Sequence, residues 1–338
     1  MARRVERRVE LLIPAYRCAD HIAATLDSAL AQTAGEVLSL HVALDGRDKP
    51  SLTVLRPYEA RGDIRLTVNE TPLGWARNCQ ALIEACQSEF FEILFHDDAL
   101  TPDAVERLLA LLDARPDAVC AYGDVVRVKP SEAEQVRGME SIEGDRPARM
   151  LAAFAQRFPG TALRGLTRRR VCEDGFCLIR NAYEDFGADF SWTPLMARHG
   201  ALLRVEAPLY RKLIRDEGVS GGWRGWPRNR LAAALGAFGA EVLRAMPDKP
   251  ESEAGAIRAA AHAWLRQRAT DWIRAGATRE EADRFLIAVD AAIAADLSGA
   301  PLSPKALRGA FGEEALSPVI REMRAGLTRA GDRLKPDS

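Results

Sequence analysis

Two adjacent acidic residues at the end of an apolar run are the residues best placed to carry out chemistry in this chain. Asp97 and Asp98 follow residues 90–95, and Pro102 then marks the start of a helix. The pattern predicts a buried strand that presents both carboxylates at its carboxyl end, where open α/β sheets bind ligands. Adjacent carboxylates repel each other, and Mg²⁺ or Mn²⁺ relieves that repulsion. A metal ion here would stabilise a diphosphate leaving group, whereas the alternative is an acidic pair that only caps the next helix.

Strand and helix patterns alternate on both sides of the acidic pair. Predicted strands cover residues 9–13, 38–44, 64–68, 90–95 and 118–128. Predicted helices cover residues 20–32, 74–86 and 102–113. This alternation predicts an α/β domain with a Rossmann-like, mostly parallel central sheet and helices on both faces.

The pattern becomes less regular after a polar loop at residues 129–147. It predicts a helix at 150–158, an alternating strand at 201–213, and a glycine-rich loop with two tryptophans at 215–226. From residue 227 the composition changes to Ala, Arg, Glu and Leu. Helical periods there cover residues 231–246, 252–276, 278–297 and 313–330. They predict an all-helical C-terminal region, whose apolar faces form either a core or a homodimer interface.

Composition limits the classes of partner. Hydrophobic residues make up 47% of the 338 residues and charged residues 28%, which allows a substantial core. The formal net charge of −1 gives no electrostatic case for binding nucleic acid. The basic N-terminus lacks a following apolar run, so we expect neither a signal peptide nor a transmembrane segment. The expected location is the cytoplasm, and the alternative is peripheral attachment at the inner face of the membrane.

Four segments, taken together with their spacing, resemble family-2 glycosyltransferases of the GT-A fold. The first is Val-Glu-Leu-Leu-Ile-Pro-Ala-Tyr at 9–16, followed by residues 26–33. The others are residues 69–78, which end in Gly-Trp-Ala-Arg-Asn, the His-Asp-Asp edge at 96–98, and residues 188–211. The joint spacing of these segments is more specific than any one of them.

This resemblance implies a glycosyltransferase that moves a sugar from a nucleotide-diphosphate sugar to an acceptor hydroxyl with inversion. It implies a UDP-sugar donor, assistance by Mn²⁺ or Mg²⁺, and a glycan, lipid-linked or small-molecule acceptor. It also implies a GT-A domain at residues 1–226, with a nucleotide-binding half at about 9–128 and an acceptor half at about 148–226. The helical region then covers residues 227–338.

The resemblance assigns roles to individual residues on the donor side. Asp45, at the end of the second predicted strand, holds the uracil or ribose, and Arg77 reaches the base or the diphosphate. Asp97 contacts the ribose, and Asp98 is the metal ligand. The donor-binding positions of the opening segment are Pro14 and Tyr16.

Asp189 falls where the family places its catalytic acid. An inverting transfer needs one base that takes the proton of the acceptor hydroxyl. Asp185 is the alternative base, because Ala188 replaces the acid that usually precedes the catalytic residue. Leu44 and Phe95 also stand where the family has acids. These departures support an alternative function, a catalytically degenerate sugar-nucleotide-binding or scaffolding module of the same fold.

Several of these residues also have a purely structural interpretation. Asp45 caps a turn with Gly46, Arg77 lies on a solvated helix face, and Asp189 is a helix N-cap. Trp223 either packs on the C-terminal helices or stacks on a sugar or base. A nucleotidyltransferase is disfavoured because no glycine-rich loop follows the first strand.

Overall fold

The computed structural model describes residues 7–129, 132–172, 178, 180–215, 222, 223 and 225–244, and eight helical residues between 257 and 268. The chain divides into two compact units. The first comprises Met1–Leu178 and Asp189–Ile214, and the second comprises Ile179–Ala188 and Arg215–Ser338. The helices predicted at 278–297 and 313–330, and most of the glycine-rich loop, lie outside the described residues.

The described part of the first unit contains a nine-stranded sheet. Its strands are β1 (Val9–Ala15), β2 (Leu38–Asp45), β3 (Arg65–Asn69), β4 (Phe90–Ile93), β5 (Ala99–Leu100), β6 (Ala118–Val128), β7 (Gln135–Arg137), β8 (Leu166–Arg168) and β9 (Ala201–Leu213). Their spatial order is β3-β2-β1-β4-β8-β6-β9-β5, and β7 pairs with β6.

The sheet is mostly parallel, as expected, but the short strands β5, β7 and β8 add antiparallel pairs to it. Parallel pairing joins β1 to β2 and β4, and β2 to β3. The short β8 lies between β4 and β6 and runs antiparallel to both. β6 and β9 then pair in parallel. A three-residue strand such as β8 is too short for a hydrophobic period, which is why the sequence pattern does not predict it.

Helices accompany the strands in the order expected for an α/β unit. They are α1 (Ile22–Leu30), α2 (Lys49–Ala60), α3 (Trp75–Ala85), α4 (Ala104–Ala114), α5 (Arg146–Ala155), α6 (Ala188–Ala197) and α7 (Arg228–Arg244). Short 3₁₀ helices lie at Gly35–Val37, Pro159–Arg164 and Arg169–Cys172. None of the helices described here is long and apolar enough to cross a membrane.

β1 lies at the centre of the core of the first unit. All seven of its residues are buried. Leu11 and Ile13 belong to one apolar cluster with Leu26 of α1 and Leu108 of α4. Near-continuous apolar strands are typical of sheets that carry helices on both faces. The packed centre therefore fixes where the carboxyl ends of β1 and its neighbours lie.

α7 belongs to the second unit and matches the helix predicted at 231–246. Gly187 approaches the ring of Phe238 on this helix so closely that an added Cβ would lie 3.3 Å from Cγ. Gly187 also has a φ of +74°, a left-handed conformation that favours glycine. Apart from α7, the predicted all-helical region is described only at a few positions near residue 260.

One acidic side chain is buried within the sheet. Glu92 in β4 is 0% exposed, and neither of its carboxylate oxygens accepts a hydrogen bond from the described residues. Burial raises the pKa of Glu92 from 4.5 to about 8. Glu92 is therefore mainly protonated at neutral pH in the folded chain.

We expect Glu92→Gln to remove a pH dependence of stability. Between pH 4.5 and about 8, the folded chain keeps a proton on Glu92 that the unfolded chain releases. The free energy of unfolding of the wild type therefore falls as pH rises through this window, by up to about 1.4 kcal/mol per pH unit. Urea denaturation between pH 5 and pH 8 should show the variant gaining stability over the wild type as pH rises.

Glu36→Gln is the matched control, because Glu36 is exposed. Its stability difference from the wild type should stay constant over the same range. If the difference in free energy of unfolding between Glu92→Gln and the wild type is also independent of pH, Glu92 is ionised in the folded chain.

Candidate active site

Three parallel strands end at one edge of the sheet. β1 lies between β2 and β4 and is parallel to both, so their carboxyl ends lie together. β2 ends at Asp45, β1 ends just before Tyr16, and Asp97 and Asp98 follow β4. Tyr16, Asp45 and the acidic pair at 97 and 98 therefore lie at this edge.

Asp45 stabilises the loop between β3 and α3. It is 4% exposed, and its Oδ1 accepts hydrogen bonds from the N–H of Leu73 at 2.7 Å and from Nδ2 of Asn69 at 3.0 Å. Its Oδ2 accepts from the N–H of Gly74 at 2.9 Å. These bonds support the structural interpretation of Asp45, and its contact with uracil or ribose stays a prediction.

The same loop fixes the start of α3. Gly74 is the N-cap of this helix and has a φ of +89°, which favours glycine. Asn78 donates a hydrogen bond to the carbonyl of Ala43 at 2.8 Å and accepts one from Asn69 at 3.0 Å. α3 is therefore tied to β2 at the turn that carries Arg77.

Arg77 is half-buried and forms no hydrogen bond or ion pair with the described residues. The acids expected to neutralise it on a solvated face are engaged elsewhere. Glu70 pairs with Arg47 at 3.4 Å, and Glu84 accepts a hydrogen bond from Gln80 at 3.0 Å. This arrangement leaves the Arg77 guanidinium available to an anionic ligand.

Tyr16 presents an aromatic face at the end of β1. Its side chain is 47% exposed, and the guanidinium of Arg17 lies 5.3 Å from its ring centre. The carbonyl oxygen of Pro14 lies 3.2 Å from Nδ1 of His96. The end of β1 is therefore held against the segment that carries the two strand-end acids.

Asp98 is enclosed by the end of β9. Its side chain is buried, its Oδ2 accepts from the hydroxyl of Tyr210 at 2.9 Å, and its Oδ1 accepts from the N–H of Leu213 at 2.9 Å. Nε of Arg164 lies 3.8 Å from Oδ2. Burial raises the pKa of Asp98 to about 6, against the effect of Arg164, and the carboxylate of Asp97 also raises it.

These contacts do not fit a metal ion on Asp98. Both carboxylate oxygens already accept hydrogen bonds, and a guanidinium occupies the adjoining space. Within the described part of the chain, no group of three or more His, Cys, Asp and Glu residues is arranged to hold a metal ion. The metal role of Asp98 stays a prediction that the geometry of its side chain does not support.

Arg164 is the last residue of the 3₁₀ helix Pro159–Arg164 and is almost completely buried. Its Nη1 donates to the carbonyl of Gly160 at 3.0 Å. Its guanidinium carbon lies 5.0 Å from the ring centre of Phe95 and 5.6 Å from that of Tyr210. The aromatic rings and the carbonyl therefore hold this cation in one position.

Gly165 lets the chain pass close to β6 directly after Arg164. A Cβ at this position would lie 2.5 Å from the carbonyl oxygen of Ala121 and 2.8 Å from Cβ of Tyr122. Any side chain would move β8 away from β6. Backbone packing therefore also sets the position of Arg164.

Lys212 is a second cation near the same carboxylate. It lies half-buried in β9, and its ammonium group forms no hydrogen bond or ion pair with the described residues. Arg164 and then burial lower the pKa of Lys212 to about 8, while Asp98 and Asp189 raise it. Two cations and two carboxylates therefore form one electrostatic cluster.

Asp189 joins this cluster from the first turn of α6. Its Oδ1 is buried and accepts no hydrogen bond from the described residues. Burial raises the pKa of Asp189, and Lys212 and Arg164 oppose that shift. A carboxylate with a raised pKa and an oxygen without a donor has the properties of a general base.

Asp185 and Trp223 belong to the second unit. Oδ1 of Asp185 accepts from the N–H of Asn181 at 3.0 Å and lies 3.8 Å from Nε of Arg180. These contacts lie within residues 180–185 and favour a structural role in the turn. Trp223 is 4% exposed, and its ring centre lies 4.9 Å from that of Phe186. Its stacking on a sugar or base stays a prediction.

Sequence reasoning did not assign Arg164, Lys212 or Tyr210 to the site. Arg164 lies in a stretch without a clear period, and Lys212 occupies a strand position where a polar residue is expected to face solvent. The pairing of β5 with β9 brings Tyr210 to the acidic edge, opposite Leu100, and Lys212 follows in the same strand. Arg164 reaches Asp98 from the end of a 3₁₀ helix. In the sequence only Tyr210 had a signal, because it lies in residues 188–211, which resemble the acceptor half of a known family.

Comparison of the sequence with known proteins gives relatives among polysaccharide synthases. Chondroitin synthase of Pasteurella multocida (strain Pm70) is 29% identical over 152 residues, which are 44% of this chain and 15% of that protein. Chondroitin synthase of Escherichia coli is 30% identical over 116 residues, which are 34% of this chain and 16% of that protein. The chain thus spans about a sixth of the length of these relatives.

Solved structures show the same fold at low sequence identity. Staphylococcus aureus TarS 1–349 in complex with UDP-GlcNAc has a TM-score of 0.63 and 14% identity, covering 96% of this chain and 92% of that one. The mannosyltransferase PcManGT from Pyrobaculum calidifontis, in complex with GDP-Man and Mn²⁺, has a TM-score of 0.53 and 16% identity. The match covers 98% of this chain and 88% of the PcManGT chain.

A family model supplies the assignment. The model described as glycosyl transferase family 2 matches residues 10–181, just over half of the 338 residues. The match includes β1, the loop before α3, the strand-end acids and Arg164. The chain belongs to glycosyl transferase family 2.

Proposed function

We propose that the chain transfers a sugar from a nucleotide-diphosphate sugar to an acceptor hydroxyl with inversion at the anomeric carbon. The observation that carries this proposal is the buried Oδ1 of Asp189, which accepts no hydrogen bond from the described residues. Asp189 lies beside the turn that holds Arg164, because a Cβ added at Gly160 would lie 3.5 Å from Oδ2 of Asp189, and the carbonyl of Gly160 accepts from Arg164. Membership of the family and the fold shared with a UDP-GlcNAc complex support a nucleotide-sugar donor.

The proposed reaction is a single displacement. Asp189 accepts the proton of the acceptor hydroxyl while the hydroxyl oxygen attacks the anomeric carbon from the face opposite the diphosphate. The bond between that carbon and the diphosphate oxygen breaks, and the nucleoside diphosphate leaves with the electron pair. One carboxylate is sufficient, and no covalent intermediate is needed. A raised pKa of Asp189 makes it a stronger base than an exposed carboxylate.

The donor is proposed to bind at the carboxyl edge of β1, β2 and β4. Tyr16 offers its exposed ring to the base, and Arg77 offers a guanidinium that the described residues leave unpaired. Asp97 is assigned to the ribose. Asp45 keeps the loop before α3 in place, so its effect on the donor includes the position of Arg77. A UDP-sugar is the proposed donor, as in the TarS complex.

A glycan is the proposed acceptor. The relatives named chondroitin synthase and hyaluronan synthase support this choice. Their matched part is only 15% of their length, so the choice rests on a single shared domain.

We expect Asp189→Asn to abolish most turnover without weakening donor binding. The amide keeps the shape of the side chain but cannot accept the proton, and general-base catalysis contributes typically about 10²–10⁴-fold. The donor is first identified by thermal-shift screening of UDP- and GDP-sugars. Release of nucleoside diphosphate with a panel of glycan acceptors then measures turnover, and NMR of the product reports its anomeric configuration.

Asp185→Asn is the matched control and should keep most of the turnover. If turnover is lost in Asp185→Asn and kept in Asp189→Asn, the base is Asp185, four residues earlier. The class of enzyme would be unchanged. Saturable donor binding in a wild type that shows no turnover with any acceptor would instead favour the degenerate binding module.

Arg77→Ala should weaken UDP binding by about 10- to 100-fold, since a charge-assisted hydrogen bond contributes about 1.5–3 kcal/mol. Isothermal titration calorimetry with UDP measures the effect. Arg107→Ala removes an exposed arginine paired with Asp103 on α4 and should leave UDP affinity unchanged. If Arg77→Ala and Arg107→Ala bind UDP equally well, Arg77 does not contact UDP and only lies on a solvated helix face.

A further inference from the structure

The cluster around Asp98 contains two cations, Arg164 and Lys212, beside the carboxylates of Asp98 and Asp189. Arg164 lies 3.8 Å from Asp98, whereas Lys212 forms no ion pair with the described residues. The same carboxylate also accepts hydrogen bonds from Tyr210 and from the N–H of Leu213, so the backbone that carries Lys212 is held beside the residue that Arg164 faces. Two cations held at one carboxylate can both donate hydrogen bonds to one anionic ligand.

Three further contacts keep Arg164 and the end of β9 in place. The carbonyl of Gly160 accepts from Arg164 at 3.0 Å. The rings of Phe95 and Tyr210 lie against its guanidinium carbon at 5.0 and 5.6 Å. A cation fixed in this way loses little conformational entropy when it binds an anion.

Asp98 holds the strand that carries the second cation. Its two oxygens accept hydrogen bonds from Tyr210, two positions before Lys212, and from the N–H of Leu213, directly after it. The carboxylate therefore fixes the backbone around Lys212 and also faces Arg164. Each oxygen of this carboxylate accepts a hydrogen bond, a guanidinium lies beside Oδ2, and the residue is 3% exposed.

We propose that Arg164 and Lys212, positioned by Asp98, bind the diphosphate of the donor directly, without a metal ion on Asp98. This inference rests on the proposed function and assigns the diphosphate subsite to residues of this chain. Guanidinium and ammonium groups are suitable partners for a diphosphate, because they neutralise its charge and donate hydrogen bonds to its oxygens. In this arrangement the strand-end acid organises the cations, and the cations stabilise the leaving group.

The first test compares UDP binding with and without a divalent cation. Isothermal titration calorimetry of the wild type is carried out with UDP in EDTA and with UDP in MnCl₂. The inference predicts dissociation constants that agree within about threefold. UDP binding that is present with MnCl₂ and lost in EDTA would overturn the inference and leave the proposed function intact. No binding of UDP or GDP under either condition would overturn both.

The second test removes the charge of Lys212. Lys212→Gln should weaken UDP binding in EDTA by about tenfold or more, while binding of uridine, which lacks the diphosphate, stays unchanged. Lys212→Arg keeps the charge and should restore most of the UDP affinity. Lys49→Gln, at an exposed position at the start of α2, is the matched control and should bind UDP like the wild type.

Arg164→Gln extends the test to the buried cation. Its melting temperature is measured alongside, because the substitution also removes contacts with Phe95 and Tyr210. Equal UDP affinity in wild type and Lys212→Gln would overturn the inference regardless of whether Arg164→Gln folds. Equal losses of uridine and UDP binding in Lys212→Gln would also overturn it, since they would indicate a structural role.

Discussion

The buried carboxylate of Asp98 is the contact on which the arrangement of the site depends. It joins the segment after β4 to the end of β9 through the hydroxyl of Tyr210 and the N–H of Leu213. β4 belongs to the parallel part of the sheet and β9 to the mixed part, so this one side chain connects the donor edge with the strand that carries Lys212. A carboxylate this deeply buried is retained only where hydrogen bonds and counter-charges compensate its desolvation.

Most of the donor half could be predicted from the sequence. An apolar strand that ends in Asp45, and another that ends shortly before the pair Asp97 and Asp98, follow directly from period and position, since adjacent parallel strands end at one edge. The start of α3 was also predictable, because Gly74 precedes a clear helical period. These features are local, and local patterns are the information that a single sequence carries.

The rest of the site is built from contacts between distant parts of the chain. β8 has three residues, and its place between β4 and β6 depends on Gly165, which allows the backbones to approach. Arg164 and Asp98 are 66 positions apart in the numbering, and Lys212 is a further 48 positions along. No period or motif connects such residues, so nothing in the sequence indicated that the guanidinium of Arg164 lies beside Asp98.

The neutral carboxyl of Glu92 has a consequence for the thermodynamics of the whole chain. Because the folded state binds a proton there that the unfolded state gives up at neutral pH, each unfolding event delivers a proton to the solvent. The buffer absorbs that proton with its own heat of ionisation. The calorimetric enthalpy of unfolding should therefore differ between phosphate and Tris at the same pH, although the structure that unfolds is the same.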